Sequence, residues 1–374
     1  MDLGEIRQEL DIIDKNIANL YERRMDLCEK VAEYKIKIGK QVLDKEREKQ
    51  KIEAVAEYVS EMRKEEMQEI LQLIMSHSRK LQYKILSEHN MGIKSPFIQV
   101  ENINKDNAAA VFQGVEGAYS HAAVLQYFGK EVKAFHVRTF EAAMKAINQG
   151  DADYAVLPIE NSTAGMVGDV YDLLVEYDNY IVGETFVKVE HSLLGLPEAK
   201  LEDIKVVYSH NQALMQSSKF LAGYPEWKHV SFENTAASAK KVLDENDKTQ
   251  AAIASEVAAE LYGLKILKTS VNNELNNTTR FIVVSGKKIY TKKANKISIC
   301  FEIPDESGSL YRILSHIMYN RLSMTKIESR PIAEKNWEYR FFVDFDGNLN
   351  NANVRNALKG ISEEALFMKI LGNY

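Results

Sequence analysis

Residues 6–38 read IRQELDIIDKNIANLYERRMDLCEKVAEYKIKI, and their spacing fixes the first domain. Ile6, Leu10, Ile13, Ile17, Leu20, Leu27 and Val31 recur at steps of three, four or their sum, the stripe of one amphipathic helix. The pattern runs to Lys37, and Gly39 supplies the stop. At roughly 1.5 Å per residue this helix is about 50 Å long. Two further helices cannot cover such a stripe, so the spacing predicts an intertwined helical dimer.

Composition shows how far the helical part extends. No proline precedes Pro96, no phenylalanine precedes Phe97, and only Gly4 and Gly39 are glycines before residue 90. Beyond that point Gly, Phe and Pro are frequent, as strands and turns require. The 374 residues suit two or three domains, and 45% apolar with 27% charged residues is ordinary globular composition. No apolar run is long enough for a membrane helix. The acidic start, Asp2 to Glu5, is not expected to be a signal peptide. Cys28 and Cys300 cannot build a disulfide framework or a zinc site, so a cytoplasmic location without metal or cofactor is expected. A net charge of −6 argues against nucleic acid as a partner, and no membrane partner is expected.

Each helix of the first domain breaks its apolar face with polar residues. After Leu20 the stripe lands on Arg24, with Lys35 three turns on. In the second helix Asp44, Arg47 and Glu48 share the side that continues as Ile52, Val55 and Val59. In the third, Ser78 sits on the line of Met67, Leu71, Ile74, Leu81 and Ile85, and Gln82 follows one turn later. Internal ion pairs such as Arg24 with Glu48 would explain one break. Breaks on all three helices point to a pocket for a small anion, because buried unpaired charge is strongly disfavoured.

Residues 1–90 resemble the all-helical chorismate mutases at Arg7, Arg24, Lys35, Asp44, Arg47, Glu48, Ser78 and Gln82. The resemblance implies that Arg24, with Arg7 from a partner subunit, clamps the carboxylates of chorismate. It implies that Lys35 and Gln82 donate to the ether oxygen and that Glu48 holds the hydroxyl. The rearrangement to prephenate needs a held conformer and stabilised charge, not a nucleophile.

Between 105 and 285 strands and helices alternate, the pattern of an α/β domain, here with two lobes. Strands are expected at 109–112, 154–157, 180–182, 205–208, 251–254 and 281–284. Helices are expected at 122–128, 170–175 and 217–221. Polar loops flank the strands: 114–121 (GVEGAYSH), 158–163 (PIENST), 209–212 (SHNQ) and 276–281 (NNTTRF). Individually each reads as a turn or cap; together they put polar groups where α/β folds bind ligands. The glycine spacing is not a dinucleotide fingerprint.

This stretch resembles prephenate dehydratase domains through Thr279-Arg280-Phe281, Glu160-Asn161-Ser162-Thr163 and Ser209-His210-Asn211-Gln212. Val115 and Asn211 stand where that family often has proline. The resemblance implies Thr279 as the acid assisting departure of the ring hydroxyl and Arg280 as a carboxylate ligand. Glu160, Asn161, Ser162, Thr163 and Asn277 would line one wall, Ser209, His210 and Gln212 the other, and Tyr119, Ser120, His191 and Phe281 would complete the site.

Residues 295–374 alternate strand, helix, strand, strand, helix, a ferredoxin-like α+β pattern. They resemble the ACT regulatory domain at Gly308-Ser309-Leu310, where alanine is more usual at Ser309, and at Glu328-Ser329-Arg330-Pro331. The resemblance implies L-phenylalanine as a feedback inhibitor bound between two copies, in a homodimer or larger assembly. Two other readings compete on residues alone. A mutase fused to prephenate dehydrogenase would need a nicotinamide-binding glycine motif, which is missing. A two-lobed small-molecule sensor would not need the sets around Lys35 and Thr279.

Overall fold

The structure, a computed structural model, describes residues 2–89, 95–274, 276–332, 335 and 338–374, the side chain of Ser87 excepted. The chain forms two compact units: Met1–Pro96 with Asn295–Ile370, and Phe97–Ala294 with Leu371–Tyr374. The helical segment and the C-terminal segment, expected as separate domains, therefore fold into one unit.

Helix α1 (Leu3–Ile38) has 36 residues and matches the expected span. Asp2 accepts from the Glu5 backbone N–H, and the Glu5 carboxylate accepts from that of Asp2, both at 2.9 Å, closing a capping box. Gly39 ends the helix at φ 67°, a left-handed conformation that favours glycine. Asp44 caps α2 (Lys45–Val55), and short 3₁₀ turns lead to α3 (Lys64–Glu88). One side of α1 lies on α3, where the Tyr21 hydroxyl is 3.0 Å from His77 Nδ1. Its apolar stripe stays exposed, with Leu10 at 52%, Ile17 at 59% and Leu20 at 66%.

The second unit opens with β1 (Ile98–Val100) and then βα repeats. These are β2 (Ala109–Gln113), α4 (Tyr119–Phe128), β3 (Lys133–Val137), α5 (Phe140–Gln149), β4 (Tyr154–Asn161), β5 (Gly165–Met166) and α6 (Gly168–Glu176). Strand β6 (Tyr180–Lys188) leads to β7 (Ser192–Gly195), β8 (Val206–Ser209), α7 (Asn211–Gln216), α8 (Ser218–Leu221) and β9 (Lys228–Ser231). The unit continues through α9 (Thr235–Glu245), β10 (Gln250–Ala254), α10 (Glu256–Tyr262), β11 (Lys265–Lys268), β12 (Thr278–Ser285) and β13 (Ile289–Thr291). Strands run in the order β6-β12-β4-β2-β3 in one sheet and β11-β7-β10-β8-β9 in the other. The first is cored by Phe112, Val156, Phe281 and Val283, the second by Leu194, Ala252 and Leu196 on one face and Val207, Ile253 and Trp227 on the other.

Two expected loops are strand instead. Residues 158–161 extend β4, and 278–281 begin β12. Proline lacks the ladder N–H, which argues against a central strand. The chain accommodates it with a bulge: Arg280 pairs with Glu160 and Phe281 with Pro158, so Ile159 is the extra residue. The helix expected at 217–221 is preceded by α7, whose cap is His210.

The C-terminal segment runs β14 (Lys296–Glu302), α11 (Ser309–Tyr319), β15 (Met324–Pro331), β16 (Tyr339–Asp346), α12 (Ala352–Glu364) and β17 (Phe367–Asn373). The strand order β15-β16-β14-β17 is that of a ferredoxin-like βαββαβ unit. Helix α12 packs on α3 and α11. The final residues join the second unit, where Gly372 pairs with Ile181.

Candidate active sites

In the first unit, α1 and α3 bring Arg24 and Ser78 together. Ser78 Oγ donates to the Ile74 carbonyl at 2.8 Å and accepts from the Arg24 guanidinium. One turn on, Gln82 is buried on the same face, and its Oε1 has no hydrogen-bond partner. Lys35 Nζ donates to the Val42 carbonyl. Burial lowers the Lys35 pKa, as does Lys40, while Asp44, Glu48 and Glu363 pull it upward. Asp44 accepts from the Arg47 backbone N–H and from Lys40, each at 3.1 Å, and these bonds lower its pKa. Arg7 and Arg47 stand exposed.

Arg24 and Glu48 do not pair with one another as a simple ion-pair account would have them. Glu48 is taken by Arg79, a residue the sequence reading passed over. Arg79 also donates to Glu364 of α12 at 2.8 Å, and Tyr83 donates to Glu363. One hint was available in sequence, a cation beside Ser78 on the third helix. Its partner carboxylates could not be guessed, since Glu364 is 285 residues away.

In the second unit a cavity of about 340 Å³ is lined by Thr163, Gln212, Met215, Gln216, Asn272, Asn273, Glu274 and Asn277. From the first sheet come Thr163, in the turn after β4, and Asn277, just before β12. The second contributes α7 and the turn after β11. Asn161 organises one wall. Its Nδ2 donates to Asn277 Oδ1 at 2.7 Å and to Thr279 Oγ1 at 2.9 Å. Its Oδ1 accepts from the Thr163 hydroxyl at 2.8 Å and from the backbone N–H groups of Thr163 and Ala164. Ser162 ties the same wall to Asn276 and Thr278. Because Asn161 occupies one lone pair of Thr279, the Thr279 O–H is left to donate elsewhere.

Of the expected residues, Thr163, Gln212 and Asn277 line the cavity, Thr279 is tied to that wall through Asn161, and the others are turned elsewhere. Successive residues of a strand face opposite sides, so Arg280 points away from Thr279. Its guanidinium meets Glu184 at 2.7 Å, the Tyr374 hydroxyl at 2.8 Å and Glu160 at 3.8 Å. Phe281 is core, packed with Phe112 and Val283. Ser209 is fully buried and donates to the Ile253 carbonyl at 2.6 Å. Ser120 is buried in α4. His210 accepts from the Gln212 N–H as the cap of α7.

Tyr119 and His191 lie behind the lining. Tyr119 Oη is 2.8 Å from the Glu190 carbonyl and 2.9 Å from His191 Nδ1. Met215, Gln216 and residues 272–274 were missed in sequence. The run Asn272-Asn273-Glu274 was a usable signal, since clustered Asn side chains before a strand seldom lack local partners.

In the C-terminal segment Gly308 takes φ 73° and Ser309 starts α11. Arg312 fastens this turn by donating to the Ser307 carbonyl at 3.0 Å and to Ser309 Oγ at 2.9 Å. Leu310 follows on α11, half-buried, and Glu328, Ser329 and Arg330 lie on the edge strand β15.

Fold and polar constellations together define a metabolic enzyme with two separate centres, one helical and one α/β. Residues 6–83 match the type II chorismate mutase family model, and residues 110–289 match that of prephenate dehydratase. The bifunctional chorismate mutase/prephenate dehydratase of Buchnera aphidicola (from Schizaphis graminum) is 34% identical over 380 residues, covering 100% of this chain and 96% of its own. That of Escherichia coli K12 is 33% identical over 384 residues, covering 99% and 95%. Among solved structures, GqqA, described as a novel type of quorum quenching acylase, aligns with TM-score 0.66 and 32% identity over 71% of this chain and 96% of that one. The prephenate dehydratase of Arthrobacter aurescens in complex with L-Phe aligns with TM-score 0.65 and 28% identity, over 71% and 89%. The chain belongs to the bifunctional chorismate mutase/prephenate dehydratase family. It rearranges chorismate to prephenate and converts prephenate to phenylpyruvate.

Proposed function

We propose that chorismate binds between α1, α2 and α3, and that prephenate binds in the cavity of the second unit. In the helical site Arg24, and Arg7 from a second copy, clamp the two carboxylates. Lys35 and Gln82 donate to the ether oxygen, where negative charge develops, and Glu48 holds the hydroxyl. Asp44, Arg47 and Ser78 complete the set. The burial of Gln82 one turn beyond Ser78, on the face that Arg24 reaches, supports a polar ligand site there.

In the dehydratase site Thr279 donates its proton to the departing ring hydroxyl, which leaves as water as the ring carboxylate is lost as carbon dioxide. The two departures make the ring aromatic, so one well-placed donor suffices. The observation that carries this reading is the Asn161 bond to Thr279 Oγ1, which fixes the hydroxyl beside a cavity lined by amides. With Arg280 paired to Glu184, the amides of Gln212, Gln216 and Asn277 become the donors available to the substrate carboxylates, since Asn272 and Asn273 spend their NH₂ groups on Val189, Glu274, Met215 and Ser218.

The C-terminal segment is an ACT domain in this reading. Its βαββαβ topology and the L-Phe complex of the Arthrobacter enzyme support feedback by L-phenylalanine, held by Gly308, Ser309 and Leu310 of one copy and Glu328, Ser329 and Arg330 of another. The exposed stripe of α1 supports a homodimer. No helix among the described residues is long and apolar enough to cross a membrane, and Cys28 and Cys300 are free thiols, which suits the cytoplasm. The test is separation of function in the full chain. Lys35→Ala should abolish chorismate consumption while phenylpyruvate formation from added prephenate continues; Thr279→Ala should do the reverse. Mutase turnover near wild type in Lys35→Ala, or dehydratase turnover near wild type in Thr279→Ala, would refute the assignment concerned.

A further inference from the structure

His191 lies between β6 and β7, 2% exposed and outside the cavity lining. It is nevertheless bonded to two residues that form the wall. Its backbone N–H donates to Asn272 Oδ1 at 3.2 Å. Its ring reaches Gln216, the last residue of α7, with Nε2 3.1 Å from Oε1. On the far side of the ring, Nδ1 lies 2.9 Å from Tyr119 Oη. Burial lowers the ring's pKa despite the Gln216 bond, so it is neutral and carries a single N–H.

That single hydrogen determines which end of the Gln216 amide faces the cavity. A carbonyl oxygen beside Nε2 requires the hydrogen on Nε2. Nδ1 must then accept from the Tyr119 hydroxyl, whose one hydrogen is shared with the Glu190 carbonyl 2.8 Å away, and the Gln216 NH₂ group is left for the cavity. The opposite order is self-consistent too: Nδ1–H to Tyr119, Tyr119 O–H to the Glu190 carbonyl 2.8 Å away, and a bare Nε2 accepting from the Gln216 NH₂. It would turn a carbonyl oxygen toward an anionic substrate, and an acceptor cannot bond a carboxylate.

We propose that His191 is a positioning residue of the dehydratase. With its hydrogen on Nε2 and Tyr119 bonded to Nδ1, it locks the Gln216 carboxamide so that its NH₂ group meets a prephenate carboxylate. This rests on the reading that the cavity is the dehydratase centre. A free glutamine side chain samples many rotamers and both amide orientations, and the ring removes that freedom before substrate arrives.

Two measurements on the full chain test the proposal. Long-range proton–nitrogen correlation with ¹⁵N-histidine, the His191 signals identified by their loss in His191→Asn, should give the neutral Nε2–H tautomer; Nδ1–H would overturn the proposal. The second is a double-mutant cycle on kcat/KM for prephenate. Gln216→Ala should lose about 30-fold or more and His191→Phe about tenfold, as a hydrogen bond to a charged group allows. The double variant should be no worse than Gln216→Ala alone. Multiplied losses would mean that His191 acts independently and would overturn the proposal. In case His191→Phe does not fold, Tyr119→Phe removes a single oxygen. It should cost about threefold, an effect that vanishes in the Gln216→Ala background. His191→Gln, which keeps a donor, should recover part of the loss. If Gln216→Ala and Thr279→Ala both leave kcat/KM unchanged, the cavity is not the dehydratase centre and the proposal falls with that reading. Circular dichroism and the thermal unfolding transitions of the same samples report folding of the second unit, which holds these residues.

Discussion

Arg79 of α3 donates to Glu364 of α12 across 2.8 Å, so a helix of the mutase segment and one of the C-terminal segment share a buried charge. Arg79 is only 6% exposed, and its guanidinium also holds Glu48. Burial alone would lower its pKa, yet the Glu364 and Glu48 carboxylates raise it. Arg79→Met takes the guanidinium from both carboxylates, Glu364 keeping the His316 ring 3.0 Å away. It should lower unfolding stability by about 3–5 kcal/mol, the usual cost of breaking a buried pair. Mutase turnover should fall with it, since Glu48 loses its anchor. Urea denaturation and a chorismate assay on the same variant measure both; a loss under about 1 kcal/mol would mean that the carboxylates simply re-enter water.

Lys80, the next residue, gives the first unit a pH dependence. Its ammonium sits over the Tyr319 ring, 2.7 Å from the centroid. Burial, then repulsion from Arg79, lowers its pKa from 10.5 to about 7. The unfolded chain therefore binds more protons than the folded one between pH 7 and 10.5, and stability rises with pH across that window. Below pH 7 the penalty is fully present. Lys80→Met should raise the melting temperature near pH 7 by about 2–4 °C, the side chain being partly solvated, and the gain should vanish by about pH 10.5. Scanning calorimetry at the two pH values tests the sign.

Arg280 separates a reading by resemblance from one by geometry. Sequence places it beside Thr279 as a substrate ligand, whereas β12 turns it to the other face, onto Glu184 and Tyr374. Arg280→Met should destabilise the second unit by about 2–4 kcal/mol through loss of its part-buried ion pair with Glu184. At a temperature where the variant stays folded, KM for prephenate should change by less than about threefold, far below the loss of a bidentate carboxylate contact. A hundredfold rise in KM without loss of stability would restore the role as ligand.

What was legible in sequence depended on the range of the signal. The periodicity of α1 and its glycine stop are local, and both the span and the cap follow from them. Ser78 and Arg24 were legible because each breaks an apolar line. Arg79 was not, because its meaning depends on Glu364 far along the chain. Gln216 was missed because α7 is too short for helical periodicity to show. The strand ends at 158–161 and 278–281 read as loops because Pro158 and the polar run around Thr279 are turn-formers. Only a bulge in the β4–β12 pairing reconciles them with a sheet.

The exposed stripe of α1 makes the last prediction. Leu10, Ile13, Ile17 and Leu20 are each at least half exposed, and Arg7 stands on the same helix. Such a stripe along 36 residues is covered by a second copy if the helical dimer forms, and Arg7 then serves the partner's site. Arg7→Ala and Lys35→Ala should each be mutase-dead alone. In a hybrid dimer one site takes Lys35 from the Arg7→Ala chain and Arg7 from the Lys35→Ala chain, and so is intact. Its sister site carries both lesions. Random exchange makes half the dimers hybrid, so mixing equal amounts should restore about a quarter of wild-type turnover. If mixing under exchange conditions restores nothing, Arg7 works within its own chain or not at all. Leu10→Glu with Ile17→Glu should block the rescue and leave dehydratase turnover from added prephenate in place, because the prephenate cavity lies wholly within the second unit.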